Sequence, residues 1–128
     1  MIIGTLALIA VLMHGAGANS WPTLANKEIE HVIEDEARRE KANAILERMQ
    51  VAMGSHLETV IACRKELMAV EMRYESTVAD FRAAYAKLEK IWRDTENDLL
   101  MLRFELRDLL TRAEWDDLCR RVDAERED

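Results

Sequence analysis

Turn-forming residues are nearly absent from this chain. Its 128 residues include one proline and four glycines, and only one of those glycines, Gly54, lies beyond residue 17. That scarcity excludes a turn-rich all-β fold. Two cysteines exclude a disulfide-dense scaffold and a four-cysteine metal module. Basic residues number 18 against 25 acidic, a net charge of -7. A nucleic-acid binder needs a basic stripe that this balance does not provide. Histidines stand only at positions 14, 31 and 56. No nucleophile elbow, glycine-rich phosphate loop or zincin motif occurs. His56 and Cys63 are two helical turns apart, too far for a direct catalytic hydrogen bond. The expectation is therefore a protein with no catalytic residues and no organic cofactor. What the chain does have is apolar residue, 49% of the total, which excludes extensive disorder.

The first segment carries no Lys, Arg, Asp or Glu before Lys27. Met1–Met13 is almost wholly apolar, and Ala16-Gly17-Ala18 has the small-x-small form of a signal-peptidase site. Residues 1–18 thus read as a signal peptide, leaving 19–128 as one all-helical domain. The alternative is an N-terminal membrane anchor, for which the run is short. Either reading places the body outside the cytoplasm, periplasmic or held at the inner membrane.

The body repeats apolar residues at helical spacing. One series runs Leu46, Met53, Val60, Leu67, Tyr74, Phe81 and Leu88. A second, three residues on, runs Met49, His56, Cys63, Val70, Thr77, Ala84 and Ile91. This is an a/d pattern, the seam of a coiled coil or long hairpin. Four segments have capping-box form, in which a Ser or Thr oxygen and an acidic side chain satisfy each other's backbone N–H groups. They are Ser55-x-x-Glu58, Thr77-x-x-Asp80, Thr95-x-x-Asp98 and Thr111-x-x-Glu114. Thr111 ranks first as a helix start, giving a short last helix over 112–127. The polar run Arg93-Asp94-Thr95 ranks second, because it breaks the heptad, and Gly54-Ser55 third. Asn26, after Trp21-Pro22, is a candidate cap for the first long helix. The expected fold is all-α: an elongated antiparallel hairpin turning near Arg93–Glu96, or a four-helix layout that also turns at Gly54. A long first arm lacks an intramolecular partner over half its length, so a homodimer is expected.

Several groups are candidates for chemistry. Cys63 and Cys119 have positions centred on residue 91, beside the expected turn, so an intramolecular disulfide is one possibility; an intermolecular bridge and free thiols are the others. Met49, Met53, His56 and Cys63 lie on one stripe and carry soft donors suited to Cu(I). The same stripe is the expected hydrophobic seam, where methionine is ordinary. His31, with Glu34 or Asp35, offers a weaker surface site for a divalent ion, against the plain reading of an acidic first turn. Asp94, Glu96, Asp98 and Glu105 mimic a calcium loop, but Leu99 stands where that loop needs glycine. Tyr85 and Trp92 share a face with Val78, Leu99 and Leu106. Phe81, Tyr85, Trp92 and Leu99 are accordingly the expected partner or dimer surface.

The run from Leu102 to Trp115, and within it Leu110-Thr111-Arg112-Ala113-Glu114, resembles the end of small exported helical proteins of the Spy/CpxP and metal-resistance type. Those proteins carry Leu-Thr-x-x-Gln before their last helix; here Glu114 stands in the Gln place. The resemblance implies a bowed hairpin dimer that binds unfolded protein, a sensor partner or metal ions. The combined expectation is an exported, non-enzymatic binding protein of the envelope-stress chaperone or regulatory adaptor type. A soft-metal binder and an anchored structural subunit of a membrane complex are the alternatives.

Overall fold

The computed structural model describes residues 20–127. These residues form four helices: α1 (Trp21–Val32), α2 (Glu36–Met72), α3 (Val78–Leu109) and α4 (Arg112–Glu127). Among the described residues there is no strand, and no helix is long and apolar enough to cross a membrane. The expectation of a signal peptide or anchor falls on residues 1–18, outside those described.

Trp21-Pro22 opens a helix instead of breaking one. Ser20 occupies the cap position and Pro22 sits in the first turn, where its missing N–H has no intrahelical partner to lose. Asn26 is consequently internal to α1 and caps nothing. The chain leaves α1 at Ile33, and Asp35 starts α2 by accepting the Arg38 backbone N–H at 3.1 Å. The 37 residues of α2 then run about 55 Å without interruption. Gly54 does not end this helix. A Cβ there meets open space, and the residue costs only its intrinsic ~1 kcal/mol relative to alanine. Thr59 bonds back to the Ser55 carbonyl at 2.8 Å, as a hydroxyl inside a continuous helix does.

The chain reverses at residues 73–77, not at Arg93–Glu96. Ser76 donates to the Val70 carbonyl through its hydroxyl at 2.6 Å and to the Arg73 carbonyl through its N–H at 3.1 Å. The Thr77 and Asp80 side chains then form a complete capping box, at 3.3 and 2.9 Å. Arg93 and Asp94 instead pair within α3, with Glu89 at 3.0 Å and Lys90 at 2.9 Å. Their polar run is a solvated helix face, and a continuous helix from Asn26 to Trp92 is interrupted twice. Past the reversal, α3 runs antiparallel to α2, with Arg48–Glu105, His56–Thr95 and Glu66–Lys87 facing each other.

The main core sits at one end of this pair. α1 packs on α2 and α4 packs on α1. Ile29 and Ile33, Leu46 and Met49, Leu102 and Leu106, and Leu118 and Val122 fill the centre. Beyond Met53 on α2, only His56, Val60 and Cys63 are buried, and no residue of α3 before Leu99 is buried. The molecule is thus a four-helix base with a two-helix arm.

Candidate functional site

Arg38 locks the base. Its guanidinium donates to both Glu114 carboxylate oxygens, at 2.8 and 3.0 Å, and to the Leu109 carbonyl at 2.9 Å. Glu114 also accepts the Thr111 N–H at 2.8 Å while Thr111 Oγ1 accepts the Glu114 N–H at 3.1 Å. The Thr-x-x-Glu segment therefore caps α4 and fastens it to α2 with one carboxylate. The Arg38 hydrogen bonds, helped by those from Thr111, hold that carboxyl at about 2, well below its ordinary value. Arg121 reaches Glu28 at 3.6 Å and adds a link from α4 to α1.

The arm leaves one face bare. Leu57, Ile61, Met68 and Met72 recur at i, i+4, i+11 and i+15, within a sector of roughly 60° on α2. All four are exposed, Met72 to 79%. On α3, Val78 and Tyr85 are exposed, and Tyr74 at the tip is 98% exposed. Helix periodicity shows how this sector relates to the base. Asn43 and Gln50 stand two heptads and one heptad before Leu57, and Asn43 lines a cleft with Asn26 and Ile29 of α1. Eighteen residues, five turns, after Tyr85 comes Arg103, whose guanidinium lies 5.0 Å from the Trp115 ring of α4. The sector that α1 and α4 cover at the base continues along the arm without a cover.

The seam between the arm's helices holds a polar group. His56 is 3% exposed. Its Nδ1 lies 2.6 Å from Thr95 Oγ1, and its ring meets Trp92 edge-on at 4.6 Å between centroids. Nε2 is buried and has no hydrogen-bond partner among the described residues. Burial pushes the imidazole pKa down, which favours the neutral ring.

The residues singled out by sequence sort into different places. Met49, Met53, His56 and Cys63 are all buried on one stripe of α2, facing α3. Cys63 and Cys119 are not bridged to each other. The pairing of α2 with α3 is centred near residues 75–77, not 91, so Cys63 lies on the arm while Cys119 belongs to α4 at the base. Of the expected partner surface, only Tyr85 is well exposed. Leu99 is 4% exposed and belongs to the intrachain core, while Phe81 and Trp92 are half-buried. His31 is 3.6 Å from Glu30, and Asp35 is committed to Arg38, so the acidic patch does not converge. Among the described residues no cluster of three His, Cys, Asp or Glu side chains is arranged to hold a metal ion. Leu57, Ile61, Met68 and Met72 lie outside the a/d series; their shared spacing, offset from it, is the signal that reveals them.

No family model matches the chain, and neither a curated protein nor a solved structure matches it.

Proposed function

We propose that this chain is an exported, non-enzymatic binding protein of the envelope-stress chaperone or regulatory adaptor type. Its arm engages apolar segments of a protein partner or unfolded client. The observation that carries this reading is the uncovered sector of Leu57, Ile61, Met68, Met72, Val78 and Tyr85. An apolar strip on a solvated arm marks an interaction surface. Because α1 and α4 cover the same sector at the base, the natural occupant is an extended or helical segment with an apolar face. The acidic excess keeps the arm soluble while that strip stays open. The export assignment rests on the composition of residues 1–18.

A second copy of the chain is the other occupant that fits. The same strip would then be the seam of a homodimer, in keeping with the heptad spacing along both helices.

Replacing Ile61 and Met68 together with glutamate tests both readings. The two side chains are exposed, so helicity measured by circular dichroism should persist. The unaltered chain should suppress light scattering by a reduced, unfolded test protein, and the double variant should lose most of that effect. Sedimentation velocity reports the homodimer: two chains in the unaltered protein and one in the variant. Equal suppression by both proteins would defeat the proposal.

A further inference from the structure

His56 stands where a single proton can act on the arm. Its ring is buried between α2 and α3, with Nδ1 2.6 Å from Thr95 Oγ1 and Trp92 edge-on at 4.6 Å. Whichever tautomer the neutral ring takes, Nε2 meets no hydrogen-bond partner among the described residues. No contact brings the Met49 or Met53 sulfur to that nitrogen, so the two methionines pack the seam and leave it unanswered. A second proton would make Nε2 a charged N–H without an acceptor, in a seam closed to water.

No neighbouring charge is placed to offset that proton. On α2 the residues one turn either side of His56, from Ala52 and Met53 to Thr59 and Val60, are uncharged, and Glu58 is exposed. On α3, Arg93 and Asp94 are spent on Glu89 and Lys90. Half-buried Glu96 and exposed Asp98 flank Thr95 in sequence, and neither makes a hydrogen bond or ion pair to the ring. Little else fastens the arm. Beyond His56, α2 buries only Val60 and Cys63, and the Glu66–Lys87 pair across the arm is exposed and contributes little.

We propose that His56 is an acid-sensitive latch: on taking up a proton it releases α3 from α2 along the arm and opens Val60, Cys63 and Trp92, while the base stays folded. The inference rests on the seam alone and not on the client-binding reading. A free imidazole titrates at about 6.5, and burial in the closed arm lowers that value. The open arm therefore takes the proton more readily. The closed arm loses stability as pH falls below about 6.5, until the buried ring itself titrates.

The test is hydrogen exchange of the full chain at pH 7, 6 and 5, with the intrinsic exchange rates divided out. Opening of segments 60–70 and 80–92 should rise at least threefold from pH 7 to 5, with a ceiling of about 25-fold for one proton. Segments 42–49 and 102–106 of the base should not change. In imidazole NMR, the ring signal that disappears in His56→Gln should titrate below 6.5. His56→Gln should abolish the acid response, and so should His56→Leu, which leaves no polar group in the seam. His31→Gln, on an exposed side chain, should retain it. Titration of His56 at or above 6.5, arm exchange that stays flat from pH 7 to 5, or an acid response that survives both His56 substitutions overturns the proposal.

Discussion

The base and the arm are built from the same two helices but are held in different ways. At the base, α2 and α3 have neighbours on a second side, and Leu46 and Leu106 are wholly buried. On the arm they have only each other, and each presents its outer apolar residues to water. The difference teaches that heptad periodicity sets where helices meet, while the number of helices present sets how much each residue contributes. Leu67 and Leu46 occupy equivalent positions of one series, yet only Leu46 is fully buried.

The largest effect should come from emptying the base. Leu46→Ala should cost about 2–5 kcal/mol, because it removes a fully enclosed side chain. Leu67→Ala, at the matching position of the arm, should cost under about 1 kcal/mol. Urea denaturation of the two variants checks the contrast; equal losses would mean that the arm is as tightly enclosed as the base.

The Arg38–Glu114 lock should produce the next effect. Removing its carboxylate in Glu114→Ala should cost about 2 kcal/mol, since a cap and a charged hydrogen bond are lost together. The carboxyl is held at about 2 in the folded chain against an ordinary value of 4.5. Its contribution is therefore complete above pH 4.5 and disappears as pH falls toward 2. Thermal melts across that window should converge for the natural chain and Glu114→Gln at the acid end and separate at neutral pH. A constant gap would remove the ion pair as the cause.

The smallest effect has the opposite sign. Gly54→Ala should stabilise the chain by about 0.5–1 kcal/mol, because α2 is continuous there and a Cβ meets open space. Destabilisation would restore a break at Gly54.

The all-helical class and the Thr111 start of α4 were legible because they are local properties: glycine and proline are absent from Ser55 to Asp128, and Thr111 and Glu114 are close enough in sequence to find each other. The reversal was not. Thr77-x-x-Asp80 and Thr95-x-x-Asp98 have the same form, and their difference is tertiary. Thr95 turns its hydroxyl to His56 across the seam, whereas Thr77 spends its own on Asp80. A turn at Arg93–Glu96 would lie beside the midpoint of Cys63 and Cys119 and bring them level; the reversal at 73–77 does not. Of the four residues of the candidate surface, only Tyr85 is well exposed, and Leu99 packs into the core of its own chain. The methionine and histidine stripe was correctly placed on one face. Nothing in its spacing announced that His56 would keep one nitrogen unpartnered.

The reversal at residues 73–77 lies far from every contact that fixes the base. Arm length is therefore an independent variable of this architecture. Inserting one heptad into α2 before the reversal and one into α3 after it should carry the tip about 10 Å outward and keep the seam in phase. The base would remain unaware of the change. Such a design lets the span offered to a partner vary by whole steps, as a ruler lengthened at its free end does.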